Sequence, residues 1–161
     1  MSARAAARLV SLGCTNVYRY QAGRADWFAA GLPRGGKDAA APRVADVAQR
    51  EVPTCGPDER VGDVRKRRRG AGSEPVVVVD GNRVVLGLVD AEALSGDPTT
   101  PIERTMQPDP VSFRPDVRVG ETPQYFKKHG VRHTLVTTSD GVLVGLLRME
   151  QAGPAAAASP P

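Results

Sequence analysis

The sequence predicts a mixed α/β (α+β) fold: two β-α-β-β-α units packed as a pseudo-symmetric pair, preceded by a helix-strand-helix segment. Three observations carry this. The heptad PDERVGD at 57–63 returns as PDVRVGE at 115–121, an offset of 58 residues. The same offset aligns Val78 with Val136, Gly87-Leu88 with Gly145-Leu146 and Glu92 with Glu150, and no gap is needed from Thr54 to Glu92. Each copy also holds two Val-rich runs around an Asp-Gly turn. A period near 58 is long for a solenoid and suits a small supersecondary unit used twice.

Each element has a local cause. VPTCGPDE and PVSFRPDV read as short extended pieces ending in a Pro-Asp turn, whose Asp is placed to cap the next helix. VGDVRKRRRGAG and VGETPQYFKKHG read as helices, closed by Gly72 and Gly130, because glycine accepts the left-handed backbone of a helix end. Pro123 falls in the first turns of the second helix, where its missing N–H costs least. PVVVVDGNRVVLGLV and HTLVTTSDGVLVGLL read as hairpins from their β-branched content and turn residues. Short helices are expected from near Asp90 and near Arg148. Neither unit is large enough to be comfortable alone, so the two are expected to cover each other's sheets and leave a cleft between them.

Composition narrows the function. The 161 residues are 40% hydrophobic but only 4% aromatic, so the core must be mostly Val, Leu and Ala. The two cysteines, Cys14 and Cys55, fit no metal spacing and no disulfide framework, and read as small buried hydrophobes. No metal cluster, Ser/His/Asp set or phosphate loop is visible, and a non-enzymatic role is expected. No apolar run reaches membrane-spanning length, and a soluble, cytoplasmic protein is expected. The net charge of +4 owes much to the run Arg65-Lys66-Arg67-Arg68-Arg69. Arg67 and Arg68 fall where the second copy has Tyr125 and Phe126, which face the core at helical spacing. A buried unpaired charge is very costly, so the first helix is expected to be shifted, frayed or solvent-facing there. The run leaves open a salt-dependent contact with nucleic acid or an acidic partner, but without an interleaved aromatic for base stacking nucleic acid is disfavoured.

Residues 43–151 resemble a tandem pair of CBS domains, a Bateman module. The resemblance rests on VADVA (44–48), IERTM (102–106), the PDxRVG turn, HGVRHTLV (129–136) and the strand ends VVLGLVD and VLVGLLR. It implies units at 44–97 and 101–152, a regulatory role, and a ligand in the inter-unit cleft: AMP, ADP, ATP or S-adenosylmethionine. It also implies a homodimer through the CBS units as one mode of assembly. The family's ribose-phosphate signature is Gly, two apolar residues, Ser or Thr, two more residues, then Asp. Here the copies run Gly87 to Ala93 and Gly145 to Gln151, with Asp90 and Arg148 in the hydroxyl's place. Asp90 would repel phosphate unless a metal intervened, whereas Arg148 could donate to it in a bidentate way. Thr54, Ser112 and His133 stand at strand positions that the resemblance places along the cleft, although His133 also reads as a half-buried strand residue. The competing reading is an empty cleft and a pair that serves only for packing.

Residues 5–33 resemble the C-terminal third of a rhodanese, on Ala5-Ala6, Leu9, Gly13, Asn16-Val17-Tyr18, Ala22-Gly23, Trp27 and Ala30-Gly31-Leu32-Pro33. The resemblance implies a helix, a strand at Asn16–Tyr20 and a helix carrying Trp27, within a truncated segment at 1–36. The family's persulfide-carrying Cys loop would precede the first helix, and with Met1 as the start it is missing. A sulfurtransferase would then require a start upstream. The polar Gly/Ala/Pro run ending at residue 43 is expected to provide a linker at 37–43, and residues 153–161 a disordered tail.

Overall fold

The computed structural model describes residues 3–68 and 74–152. Arg69, the expected helix end at Gly72 and the expected tail at 153–161 lie outside the described residues. The chain opens with helices α1 (Ala3–Ser11) and α2 (Gly23–Ala29). The first repeat holds α3 (Val44–Val47), β1 (Thr54–Cys55), α4 (Val61–Arg68), β2 (Val76–Val79) and β3 (Val85–Val89). The second holds β4 (Gln107–Pro108), β5 (Ser112–Phe113), α5 (Thr122–His129), β6 (His133–Thr137) and β7 (Leu143–Arg148). One sheet has the order β1-β2-β3-β4 and the other β5-β6-β7.

The predicted hairpins and the helix end at Gly130 form as expected. β1 runs parallel to β2, and β5 parallel to β6, while β2–β3 and β6–β7 are antiparallel hairpins. Both hairpins carry a register shift at the same repeat position, Val78/Val79 and Val136/Thr137. Asp80 Oδ1 accepts from the N–H groups of Asn82 and Val84, which fixes the first turn. Gly130 ends α5 at φ 63°, the left-handed geometry expected of a terminating glycine.

Three expectations are corrected. The strand at Asn16–Tyr20 does not form: among the described residues no strand pairs with it, and an isolated extended segment has no neighbour to take its N–H and C=O groups. Tyr20 instead packs edge-on against Trp27, with ring centroids 5.1 Å apart, and donates its hydroxyl to Asp26. The expected closing helices are single 3-10 turns, Ala93–Ser95 and Met149–Ala152. Asp116 does not cap the following helix; its carboxylate accepts from Arg24 Nε at 2.6 Å, and the start of that helix shows no side-chain cap.

The repeats are joined by exchange. Gln107 and Pro108, at the head of the second repeat, add β4 to the first repeat's sheet opposite Leu88 and Gly87. Gln49, 58 residues earlier, bridges to Leu146 of the second repeat's sheet. The cores follow the same exchange. Ile102 and Met106 pack with Val61, Val64, Val78 and Val89 of the first repeat, while Val44 and Ala48 pack with Phe126, Val136 and Leu147 of the second. A third cluster (Val77, Leu135, Leu143 and Leu146) closes the face between the repeats. The hairpin tips meet there about a pseudo-two-fold axis: Val85 N donates to Gly141 O and Leu143 N to Arg83 O.

Candidate ligand-binding site

β5 sets Ser112 opposite Leu135 of β6. The Ser112 hydroxyl lies 2.7 Å from Thr137 Oγ1, and Arg114 Nη1 donates to Thr137 Oγ1 at 3.1 Å and to the Thr138 carbonyl. These groups face a cleft of about 240 Å³, lined also by Asp109, Ser139 and, from the first repeat, Val85. Hydroxyls, a carboxylate and an exposed guanidinium along an inter-repeat cleft can hold sugar hydroxyls at one end and an anionic group at the other. Thr54 holds the matching place in the first repeat, paired with Val77. There the counterparts of Arg114, Thr137 and Ser139 are Gly56, Val79 and Gly81. The matching place in the first repeat thus lacks this polar chemistry, which belongs to the second repeat. Arg114 and Thr137 were not singled out from the sequence, because nothing local distinguishes them from other strand-end residues.

The remaining predicted residues do not converge on that cleft's polar cluster. Gly87 and Gly145 make room for protein: a Cβ on Gly145 would stand 2.5 Å from Gln49 O, and one on Gly87 2.8 Å from Gln107 O. Asp90 Oδ1 accepts from Ala93 N at 2.8 Å and so caps a 3-10 turn. Arg148 is already engaged: Nη2 donates to Gln49 Oε1 at 2.8 Å, the guanidinium pairs with Glu74, and the backbone N–H donates to Gln151 Oε1. The phosphate-ready guanidinium read from the sequence is met by a carboxylate of the first repeat. His133 pairs with Arg148 across β6 and β7. Half-buried, it is held below the usual histidine range by desolvation, which favours neutral imidazole.

The described part of the basic run, Arg65 to Arg68, has partners within the chain. α4 is regular through Arg68, the last residue described there, and of the three outcomes expected the solvent-facing one holds: the Lys66 and Arg67 side chains are 75% and 58% exposed. Arg65 donates to Gly96 O, Lys66 pairs with Asp63, Arg67 with Glu59 at 2.6 Å, and Arg68 donates to Glu74 O. The Arg67 hydrogen bond holds the Glu59 carboxyl below its ordinary range, against the opposing effect of burial.

The two cysteines part company. Cys14 is exposed, which corrects the expectation that it is buried. Cys55 is 3% exposed, and burial, aided by Glu59, pushes its thiol up to about 11. Because the thiolate is the reactive form, iodoacetamide at pH 8 is expected to alkylate Cys14 rapidly and Cys55 only after denaturation. Mass spectrometry of the native chain showing equal labelling would contradict this packing. Among the described residues no group of three or more His, Cys, Asp or Glu could hold a metal ion, and no helix is long and apolar enough to cross a membrane.

Residues 102–151 match the family model of the CBS domain. A search of curated proteins returns no match. Among solved structures, the chain is similar to a putative acetoin utilization protein, AcuB, from Vibrio cholerae, with TM-score 0.62 and 25% identity over 68% of this chain and 85% of that one. It is also similar to the cytosolic domain of the Mg2+ channel MgtE in complex with ATP, with TM-score 0.63 and 21% identity over 67% and 46%. A third is CBSX2 in complex with AMP, with TM-score 0.62 and 20% identity over 71% and 95%. The chain carries the fold of a CBS pair. Its polar cleft therefore lies in the second CBS unit, the unit that the family model covers.

Proposed function

We propose that this chain is a non-enzymatic regulatory module that senses an adenine nucleotide or adenosyl ligand in the cleft of its second CBS unit. The observation that carries this reading is the polar cluster Ser112, Arg114 and Thr137, facing a cleft that Val85 of the other unit completes. The solved CBS-pair structures with AMP and ATP support the ligand class. Because the cleft is made by both units, ligand there favours one arrangement of the pair, and a partner or a second copy of the chain reads the difference.

A thermal-shift titration with AMP, ADP, ATP and S-adenosylmethionine tests this. Ligand that binds only the folded state stabilises it by about 2.7 kcal/mol at a hundredfold excess over Kd. The expected result is a saturable rise in Tm with one of the four, lost in Arg114→Ala. No saturable rise with any of them at millimolar concentration would overturn the reading and leave the pair a packing module.

The rhodanese-like reading of residues 1–36 rests on the sequence resemblance alone; the segment holds two helices, the second carrying Trp27, whose Nε1 donates to Pro33 O at 2.9 Å. A sulfurtransferase or a polyanion-binding protein has less support. Cys14 lies after the first helix, and Arg65 and Arg68 are tied to the backbone carbonyls of Gly96 and Glu74.

A further inference from the structure

The N-terminal segment carries an open, largely apolar groove of about 660 Å³, lined by Leu9 of α1, by Cys14 and residues 16–20, and by Arg24 and Trp27 of α2. Seven large apolar side chains stand exposed among the described residues, and four of them, Val10, Leu12, Tyr18 and Tyr20, fall between residues 10 and 20. Such a cluster marks an interaction surface. The backbone gives an independent sign. Among the described residues, the N–H and C=O groups of Asn16, Val17, Tyr18 and Arg19 make no hydrogen bond. The composition there still favours a strand, with Val or Tyr at three of the five positions 16–20. The charge is one-sided as well. Residues 1–25 hold Arg4, Arg8, Arg19 and Arg24 and no Asp or Glu, so they carry a formal charge equal to the net +4 of the whole chain. Arg24 is held by Asp116, but Arg4, Arg8 and Arg19 have no ion pair among the described residues.

We propose that residues 16–20 are an open strand edge that docks an extended, acidic segment of a partner protein, whose apolar side chains enter the groove. In this mode main-chain hydrogen bonds supply the affinity and pockets for alternate side chains supply the preference. The incoming segment is the neighbour that the strand predicted from the sequence lacks within the chain. Arg19 and Arg24 line the groove, and Arg4 and Arg8 lie on α1, whose Leu9 lines it. Their charge selects carboxylates on the partner. A second copy of the chain would set these arginines against their own kind, and like charges brought together across an interface are costly. A lipid surface would suit the apolar side chains but leave the free N–H and C=O groups of residues 16–19 unsatisfied. An acidic strand answers the apolar groove, the open backbone and the charge together.

The test titrates the full chain with the peptide acetyl-EVEVEVE-amide, up to millimolar concentration. Fluorescence follows Trp27, the single tryptophan, and amide hydrogen exchange follows residues 16–20. The expected result is a saturable change in Trp27 emission, with exchange at residues 16–20 slowed about tenfold or more in the complex. The basic peptide acetyl-KVKVKVK-amide is expected to bind about tenfold more weakly, and Arg19→Gln to weaken the acidic peptide about threefold, the worth of one exposed ion pair. Val17→Pro and Tyr18→Pro each remove an N–H, on opposite sides of a strand. Neither N–H is bonded within the chain, so both variants are expected to fold, and one of the two to lose the peptide. Unchanged exchange at residues 16–20 with the acidic peptide, or equal binding by both proline variants, would overturn the proposal. Slow exchange there in the chain alone, lost on dilution, would overturn it in favour of a second copy. A Trp27 response to phosphatidylserine vesicles and none to the peptide would overturn it in favour of a membrane surface.

Discussion

Phe126→Ala is expected to cost about 3–5 kcal/mol, the range for removing a buried aromatic from a packed core. Phe126 is 1% exposed. It packs with Val136 and Leu147 of its own sheet and with Val44, which arrives from the other repeat. Phe113 and Tyr125 stand edge-on to it at 6.2 and 6.3 Å. Helix α5 has eight residues, two of them buried, too few to be stable without that anchor. The loss should therefore reach the exchanged lead-in as well as the helix. Urea unfolding measures it, and a cost under about 1 kcal/mol would show that the cavity collapses or that the exchange adds little. The repeat partner of Phe126 is Arg68. Arg68→Ala should cost clearly less, since it removes one hydrogen bond to Glu74 O and no comparable apolar contact.

Gly145→Ala is the second large effect. The new methyl would stand 2.5 Å from Gln49 O and 3.1 Å from its carbonyl carbon, both backbone atoms. Backbone cannot turn aside as a flexible side chain does, so the Gln49–Leu146 bridge must part, at about 3 kcal/mol, the upper end for overpacking. Gly87→Ala is milder, because one of its two nearest neighbours, at 2.8 Å, is the Met106 sulfur, which can move. Gly120→Ala meets nothing within 4 Å and should be neutral or gain a few tenths of a kcal/mol through the unfolded state. Thermal unfolding of the three variants gives the ranking. If Gly145→Ala proved no worse than Gly120→Ala, the exchanged lead-in would not be packed as described.

Much of the fold was legible because it is encoded locally. The Val-rich runs, their Asp-Gly turns and Gly130 at a helix end each act within a few residues, and the 58-residue offset carried them from one repeat to the other. The site was less legible. Ser112 was marked in advance, but Arg114 and Thr137 were not, since their meeting depends on β5 lying parallel to β6 with Phe113 opposite Val136. Arg148 looked free in the sequence and is held by Glu74 and Gln49, which lie 74 and 99 positions earlier.

The sequence by itself determined that this protein holds a twofold β-α-β-β repeat with a Val- and Leu-rich core, because hydrophobic period and turn chemistry act over short spans. Only the tertiary structure decided that each lead-in docks on the other repeat's sheet, that Asn16–Tyr20 forms no strand, and which arginines keep a donor to spare. Those outcomes depend on which distant carbonyl or carboxylate lies within about 3 Å of a given donor, a distance that exists only once the two repeats have packed.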